Sequence, residues 1–266
     1  MKPTGSIRPL KRHQLRMKIG IIGDIHEDII ALKAALSLLE KAGCTTIVCV
    51  GDIVGFKVNT YHYLDTRNAH ECIALVRANC IETVIGNNDL YQIRKLPEHR
   101  GGFPFPEDWY ELDFYERKAL SNNQLFLYED VQLNALLTRA DKAWLETLPD
   151  SYAGNFDGLR ILFTHFVYPD LHGLRTYFPK MADEFQEHLG FIERHGCTLG
   201  ISGHFHHEGL SRVNEVEVRR QGFGVYPFSR TLQYWTGPCV ARGQFLNGFL
   251  ILDTNTSIVE AVRLGV

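Results

Sequence analysis

Residues 19–26 read Ile-Gly-Ile-Ile-Gly-Asp-Ile-His. The β-branched apolar run is long enough for one strand buried on both faces. It ends in a glycine, a carboxylate and, two positions later, an imidazole. Burying such groups unpaired costs about several kcal/mol, so a buried strand that delivers them aims them at a ligand or a metal. The event recurs along the chain. Thr45–Val50 runs into Gly51-Asp52, and Ile81–Ile85 into Gly86-Asn87-Asn88-Asp89. Leu159–Phe163 delivers Thr164-His165, and Cys197–Ile201 delivers Ser202-Gly203-His204-Phe205-His206-His207.

Between these strands lie helical patterns. In Glu27–Gly43, residues Ile29, Ile30, Leu32, Ala35, Leu36 and Leu39 share a face, with Gly43 as the stop. Asn68–Ala78 and Met181–His195 read the same way, the latter closed by Gly196. Strands joined by single helices form right-handed βαβ units with parallel strands. The acids at their ends then share the sheet edge where ligands bind in open α/β folds.

Leu90–Gly158 breaks this rhythm. It is rich in aromatics (Trp109, Tyr110, Phe114, Tyr115, Phe126, Tyr128, Trp144), and Thr138-Arg139-Ala140-Asp141 resembles a capping box. The stretch predicts a helical cap insertion at about 90–157; the alternative is ordinary packing helices on a sheet flank. From Leu210 onward the pattern is β, with runs at 213–218, 231–234, 245–253 and 257–264. These predict a second, mostly antiparallel set of strands.

The chain has 266 residues, 45% of them hydrophobic and 22% charged, with a net charge of −3. That suits one large domain with a substantial core. A weakly acidic balance offers no attraction for nucleic acid or a membrane surface. No apolar run reaches the roughly 18 residues of a membrane span, and Met1–Arg16 has no apolar core of a secretory signal. Those sixteen residues read as a flexible extension ahead of a domain spanning 17–266. Six cysteines without a Cys-x-x-Cys pair read as reduced thiols in a cytoplasmic protein.

The strand ends together offer Asp24, His26, Asp52, Asn87, His165, His204 and His206. A lone histidine is more often a satisfied structural group, and acids after glycine are often turn residues or helix caps. Seven candidates that all follow strands are another matter. Spacing of i, i+2 points both side chains to one side if the backbone stays extended. Carboxylate, imidazole and amide oxygen suit manganese, iron, zinc or nickel, and the lack of thiolate argues against structural zinc. Seven ligands exceed what one first-row ion takes. They suit two ions about 3.5–4 Å apart.

These residues resemble the calcineurin-like metallophosphoesterases, whose pattern is D-x-H, G-D-x-x-G, G-N-H-D/E, a single His and G-H-x-H. Asp24-Ile25-His26, Gly51-Asp52-Ile53-Val54-Gly55, Gly86-Asn87-Asn88-Asp89, His165 and Gly203-His204-Phe205-His206 agree in order and spacing. The resemblance implies a four-layer α/β/β/α sandwich of two mixed sheets, with the β-rich tail as the second sheet. It implies that Asp24, His26 and His206 hold one divalent ion, that Asn87, His165 and His204 hold the other, and that Asp52 bridges, with manganese favoured. It further implies hydrolysis by a metal-bridging hydroxide.

One position departs from the family. Asn88 stands where the family carries a histidine that serves as general acid, oriented by the next acid, here Asp89. An amide donates a hydrogen bond but no proton, and general acid catalysis is worth roughly 10²–10⁴-fold. The sequence therefore points to a phosphodiesterase for a small or nucleotide-like phosphoester, with Asn88 and Asp89 as catalytic candidates. A phosphomonoesterase or protein phosphatase is the alternative within enzymes; a metal-binding interaction module of the same fold is the alternative outside them. His62, His207 and Arg242 are candidates for substrate contact, against surface roles for each. A homo-oligomer is compatible with the sequence.

Overall fold

The computed structural model describes residues 17–266, so the expected extension Met1–Arg16 lies outside the described residues. The first half alternates as expected: β1 (Lys18–Ile22), α1 (Ile29–Lys41), β2 (Thr46–Cys49), β3 (Phe56–Lys57), α2 (Ala69–Asn79), β4 (Glu82–Thr83) and α3 (Asn87–Ile93). Then come α4 (Phe114–Ser121), β5 (Gln132–Leu133), α5 (Arg139–Leu145), β6 (Ser151–Phe156), β7 (Leu159–Thr164), α6 (Gln186–Arg194) and β8 (Leu199–Ser202). The tail supplies β9 (Leu210–Val213), β10 (Val218–Gly222), β11 (Gly224–Pro227), β12 (Gln233–Thr236), β13 (Gly248–Asp253) and β14 (Ile258–Arg263).

Two six-stranded mixed sheets result, ordered β11-β14-β13-β1-β2-β4 and β10-β9-β12-β8-β7-β6. In the first, β1, β2 and β4 are parallel, as βαβ connections require. In the second, β7, β8 and β12 are parallel. Ile19, Ile21, Val48, Phe163, Ile201, Trp235 and Leu250 pack between the sheets. Ile22, Cys49 and Ile251 face the other way, against Leu32 and Leu39 of α1 and Ile73 and Val76 of α2. Beyond the second sheet, Leu162 and Tyr234 meet Leu189 and Ile192 of α6. This is the four-layer sandwich. Gly20 lets α1 lie close, since a Cβ there would sit 2.5 Å from Leu39 Cδ2.

Three expectations need correction. The tail is not one sheet of its own: β11, β13 and β14 join β1 in the first sheet, and β9, β10 and β12 join the second. Alternation reports which faces are buried, but not which strand is the partner. The run 213–218 is a hairpin turn, because Asn214 Oδ1 accepts the amides of Val216 and Glu217 at 2.8 and 2.9 Å. The insertion is shorter and less helical than 90–157. Ser151–Phe156 is an antiparallel strand beside β7, and most of residues 94–137 is loop packed on its own aromatics, Phe103, Phe105 and Trp109. The capping box is present, with Thr138 Oγ1 accepting from the Asp141 amide at 3.1 Å. Among the described residues, no helix is long and apolar enough to cross a membrane.

Trp235 is fully buried between the sheets, with its edge toward Phe228 and its Nε1 donating to Gln233 Oε1 at 2.8 Å. Trp235→Ala should therefore cost about 3–5 kcal/mol in urea unfolding. A loss under about 1 kcal/mol, within the range of a surface substitution, would contradict this packing.

Candidate metal centre

The loop after β1 is zipped to the loop after β2. The amides of Asp24, Ile25, His26 and Glu27 donate to the carbonyls of Gly51, Asp52, Asp52 and Ile53 at 2.8–3.0 Å. From the tail, Val240 and Ala241 donate to Gly23 and Asp24. The expected extended geometry does not occur. Asp24, His26, Asp52, His204 and His206 all adopt left-handed φ, between 46° and 66°. Such non-glycine residues cost about 1–3 kcal/mol each and cluster at functional sites. Tight turns, not strand alternation, place the side chains on one side. Gly86 permits the closest approach: a Cβ there would meet Asp52 Oδ1 at 2.2 Å.

Seven side chains converge in two groups. Asp24, His26 and His206 form one; Asp52, His165 and His204 form the other, with the potential ligand atoms of each within 4.8 Å of one another. Asn87 joins the second, its Oδ1 being 3.1 Å from His165 Nε2 and from His204 Nδ1. Asp52 Oδ2 lies 3.2 Å from His165 Nε2 and 3.8 Å from His26 Nε2, so it stands between the groups. Asn87–Asp89 form the first turn of α3 rather than a loop.

The ring hydrogen bonds set the tautomers. His26 Nδ1 donates to Gly55 O at 3.0 Å and His165 Nδ1 to Val50 O at 2.6 Å, which leaves each Nε2 as a lone pair aimed inward. His26 Nε2 then faces His206 Nε2 at 3.3 Å, and the Asn87 side-chain amide lies 3.0 Å from the His172 carbonyl. His204 Nε2 is buried without a partner, and its ring is stacked on Phe178. Acceptors crowded on acceptors repel unless a cation lies among them. The donor set therefore fits divalent ions, and the nitrogen and oxygen ligands suit the harder first-row metals. Cys239 is nearby, but its thiol donates to Asp24 O at 3.0 Å.

With protein charges alone, protons fill part of this role. Burial works to lower His165, but the Asp52 carboxylate outweighs it and lifts the imidazole to about 9. Burial holds His26 down at about 4. Asp24, which burial would raise, is drawn down to about 2 by His206 and His165.

Asn88 is buried, its Nδ2 donating to Asp52 Oδ2 and its Oδ1 accepting from Gln132 Nε2 of β5. Asp89 does not orient Asn88. Its carboxylate instead takes the amides of Asp52, Ile53, Val54 and Gly86 at 2.8–3.1 Å and so holds the metal loop in shape. Arg242 is committed to Asp28 by bonds of 2.8 and 2.9 Å. His62 is exposed beside a shallow cavity of about 140 Å³ shared with Tyr63 and Arg242. His207 lies half-buried near Ser211 and Thr236, outside both groups. Sequence reasoning missed Tyr128, whose hydroxyl meets Asn87 Nδ2, and Gln132. Tyr128 lies in irregular chain and Gln132 in the two-residue β5, each more than 40 positions from its partner, where no periodicity signals a contact.

A model of the calcineurin-like phosphoesterase superfamily domain matches residues 17–227. The chain belongs to this superfamily. A metallophosphoesterase from Sphaerobacter thermophilus superposes with TM-score 0.64 at 21% identity, covering 94% of this chain and 88% of that one. A hypothetical protein from Pyrococcus horikoshii OT3 gives 0.57 at 14%, covering 93% and 88%. An uncharacterized protein of Methanocaldococcus jannaschii is 26% identical over 152 residues, 57% of this chain. The match spans 50% of that curated relative's length.

Cations must displace protons from this cluster. Manganese binding near pH 7 should therefore release about one proton or more per chain, seen by titration calorimetry in buffers of different ionisation enthalpy. Affinity should rise with pH up to about 9, where His165 loses its proton unaided. Binding that is independent of pH would contradict the assignment.

Proposed function

We propose that the chain is a dinuclear-metal phosphoesterase that favours phosphodiesters of small or nucleotide-like character. Asp24, His26 and His206 would hold one ion, Asn87, His165 and His204 the other, and Asp52 both, with manganese preferred. Divalent ions held there would supply Lewis acidity, lowering the pKa of water and drawing charge from phosphoryl oxygens. The protein's own part is to hold seven ligands in place and to keep Asn88's amide hydrogens directed at the metal-facing side of Asp52.

The observation that carries the diester preference is the clamped Asn88. Gln132 occupies its carbonyl, so its NH2 faces the site and can donate to a phosphoryl oxygen. It has no proton to give a departing alkoxide. Substrates whose leaving group departs as a stable anion are therefore favoured over alkyl monoesters. Gln132 lies against the carbonyl end of Asn88, so a variant that removes its side chain belongs in the test.

With manganese, an activated aryl phosphodiester should be hydrolysed well ahead of an alkyl phosphomonoester. Asn88→His, alone and combined with Gln132→Ala, should raise turnover of poor leaving groups by roughly 10²-fold and bend the pH–rate profile. No change in either would remove the argument from Asn88. Asp52→Asn should abolish activity and lower metal content. Bound metal without any turnover in the wild type would instead favour an interaction module.

A further inference from the structure

Lys57 stands in β3, directly after the loop that carries Asp52. The residue is half-buried, and among the described residues its ammonium forms no ion pair with a carboxylate. A cation partly withdrawn from water with no anion beside it is poorly compensated. Its neighbours indicate what it is turned toward. In the antiparallel β3–β5 pair, Lys57 is opposite Gln132 and Phe56 is opposite Leu133. Directly opposed residues project to the same face. Phe56 and Leu133 pack together with Tyr61, Tyr63 and Cys239 on one face. Lys57 and Gln132 share the other, where Gln132 reaches Asn88 and Asn88 reaches Asp52. On that face Lys57 Nζ lies 5.6 Å from the ring centroid of Tyr128, whose hydroxyl contacts Asn87.

We propose that Lys57 is a substrate-binding residue whose ammonium takes an anionic oxygen of the phosphoester, with the Tyr128 ring as its rest. This deepens the phosphoesterase reading and rests on it for the identity of the anion. Lys57 then supplies, from the strand that pairs with the insertion, a positive charge that neutral Asn88 does not. Tyr128 steadies both the lysine and ligand Asn87, so the insertion becomes a wall of the substrate site.

The test is binding of inorganic phosphate to the manganese-loaded full chain by titration calorimetry, alongside kinetics on an activated phosphodiester. Lys57→Met should weaken phosphate by about tenfold or more, as expected for loss of a hydrogen bond to a charged group. KM should rise similarly, with kcat changed less and manganese content unchanged. Lys57→Arg should restore most of the phosphate affinity. Equal phosphate affinity in wild type and Lys57→Met overturns the proposal, as does a wild type that binds no phosphate. Loss of manganese together with phosphate also overturns it, because the residue would then be structural. A wild type that binds phosphate through Lys57 but hydrolyses no diester keeps the site and removes the phosphoesterase reading. One that hydrolyses with KM unmoved by Lys57→Met does the reverse.

Discussion

The structure depends on burying two carboxylates, four imidazoles and an amide oxygen at one point. In a low-dielectric interior such a cluster is unfavourable unless cations sit among the acceptors. It persists because the surrounding backbone is over-determined. The loops after β1 and β2 are laced together by four amide–carbonyl bonds, and Asp89 gathers four further amides from the second loop. That lacing offsets the left-handed strain at five of the ligands. Burial and the adjacent charge of Asp52 push Asp89 up to about 7. Even this supporting carboxylate is thus held at the limit of what the interior tolerates.

The two sheets serve this point rather than merely surround it. Parallel β1–β2–β4 and parallel β7–β8–β12 deliver their carboxyl ends to the same edge. Asp24, Asp52 and Asn87 come from the first sheet's side, and His165, His204 and His206 from the second. Neither sheet holds a complete set. The inter-sheet core therefore fixes the distance between half-sites as well as stability. Precision of that kind comes from rigid elements and their supporting contacts rather than from the ligands themselves.

Asn88 shows how the aromatic segment is tied to the cluster. Its amide is turned by Gln132, a residue of the insertion, while Tyr128 of the same segment touches Asn87. The aromatic stretch that interrupts the βα rhythm is thus wired into the site through two polar contacts. Its own cluster of Phe103, Phe105, Trp109 and Leu125 holds the segment in place.

The sequence by itself determined the candidate ligands, their order along the chain, and the family. Asp24, Asp52, Asn87 and His204 each directly follow a glycine at the end of an apolar run, His26 and His206 stand two positions further on, and His165 follows the strand that ends in Thr164; all these signals are local. The start of α2 at Asn68 was legible for the same reason, since a cap acts within three residues. Tertiary structure alone decided which sheet each tail strand joined, that Ser151–Phe156 belonged to a sheet, and that Gln132 reached Asn88 and Tyr128 reached Asn87. It also decided that Arg242 was held by Asp28. Strand pairing and side-chain contacts across dozens of positions depend on complementarity between distant surfaces, and periodicity along the chain carries no record of the partner.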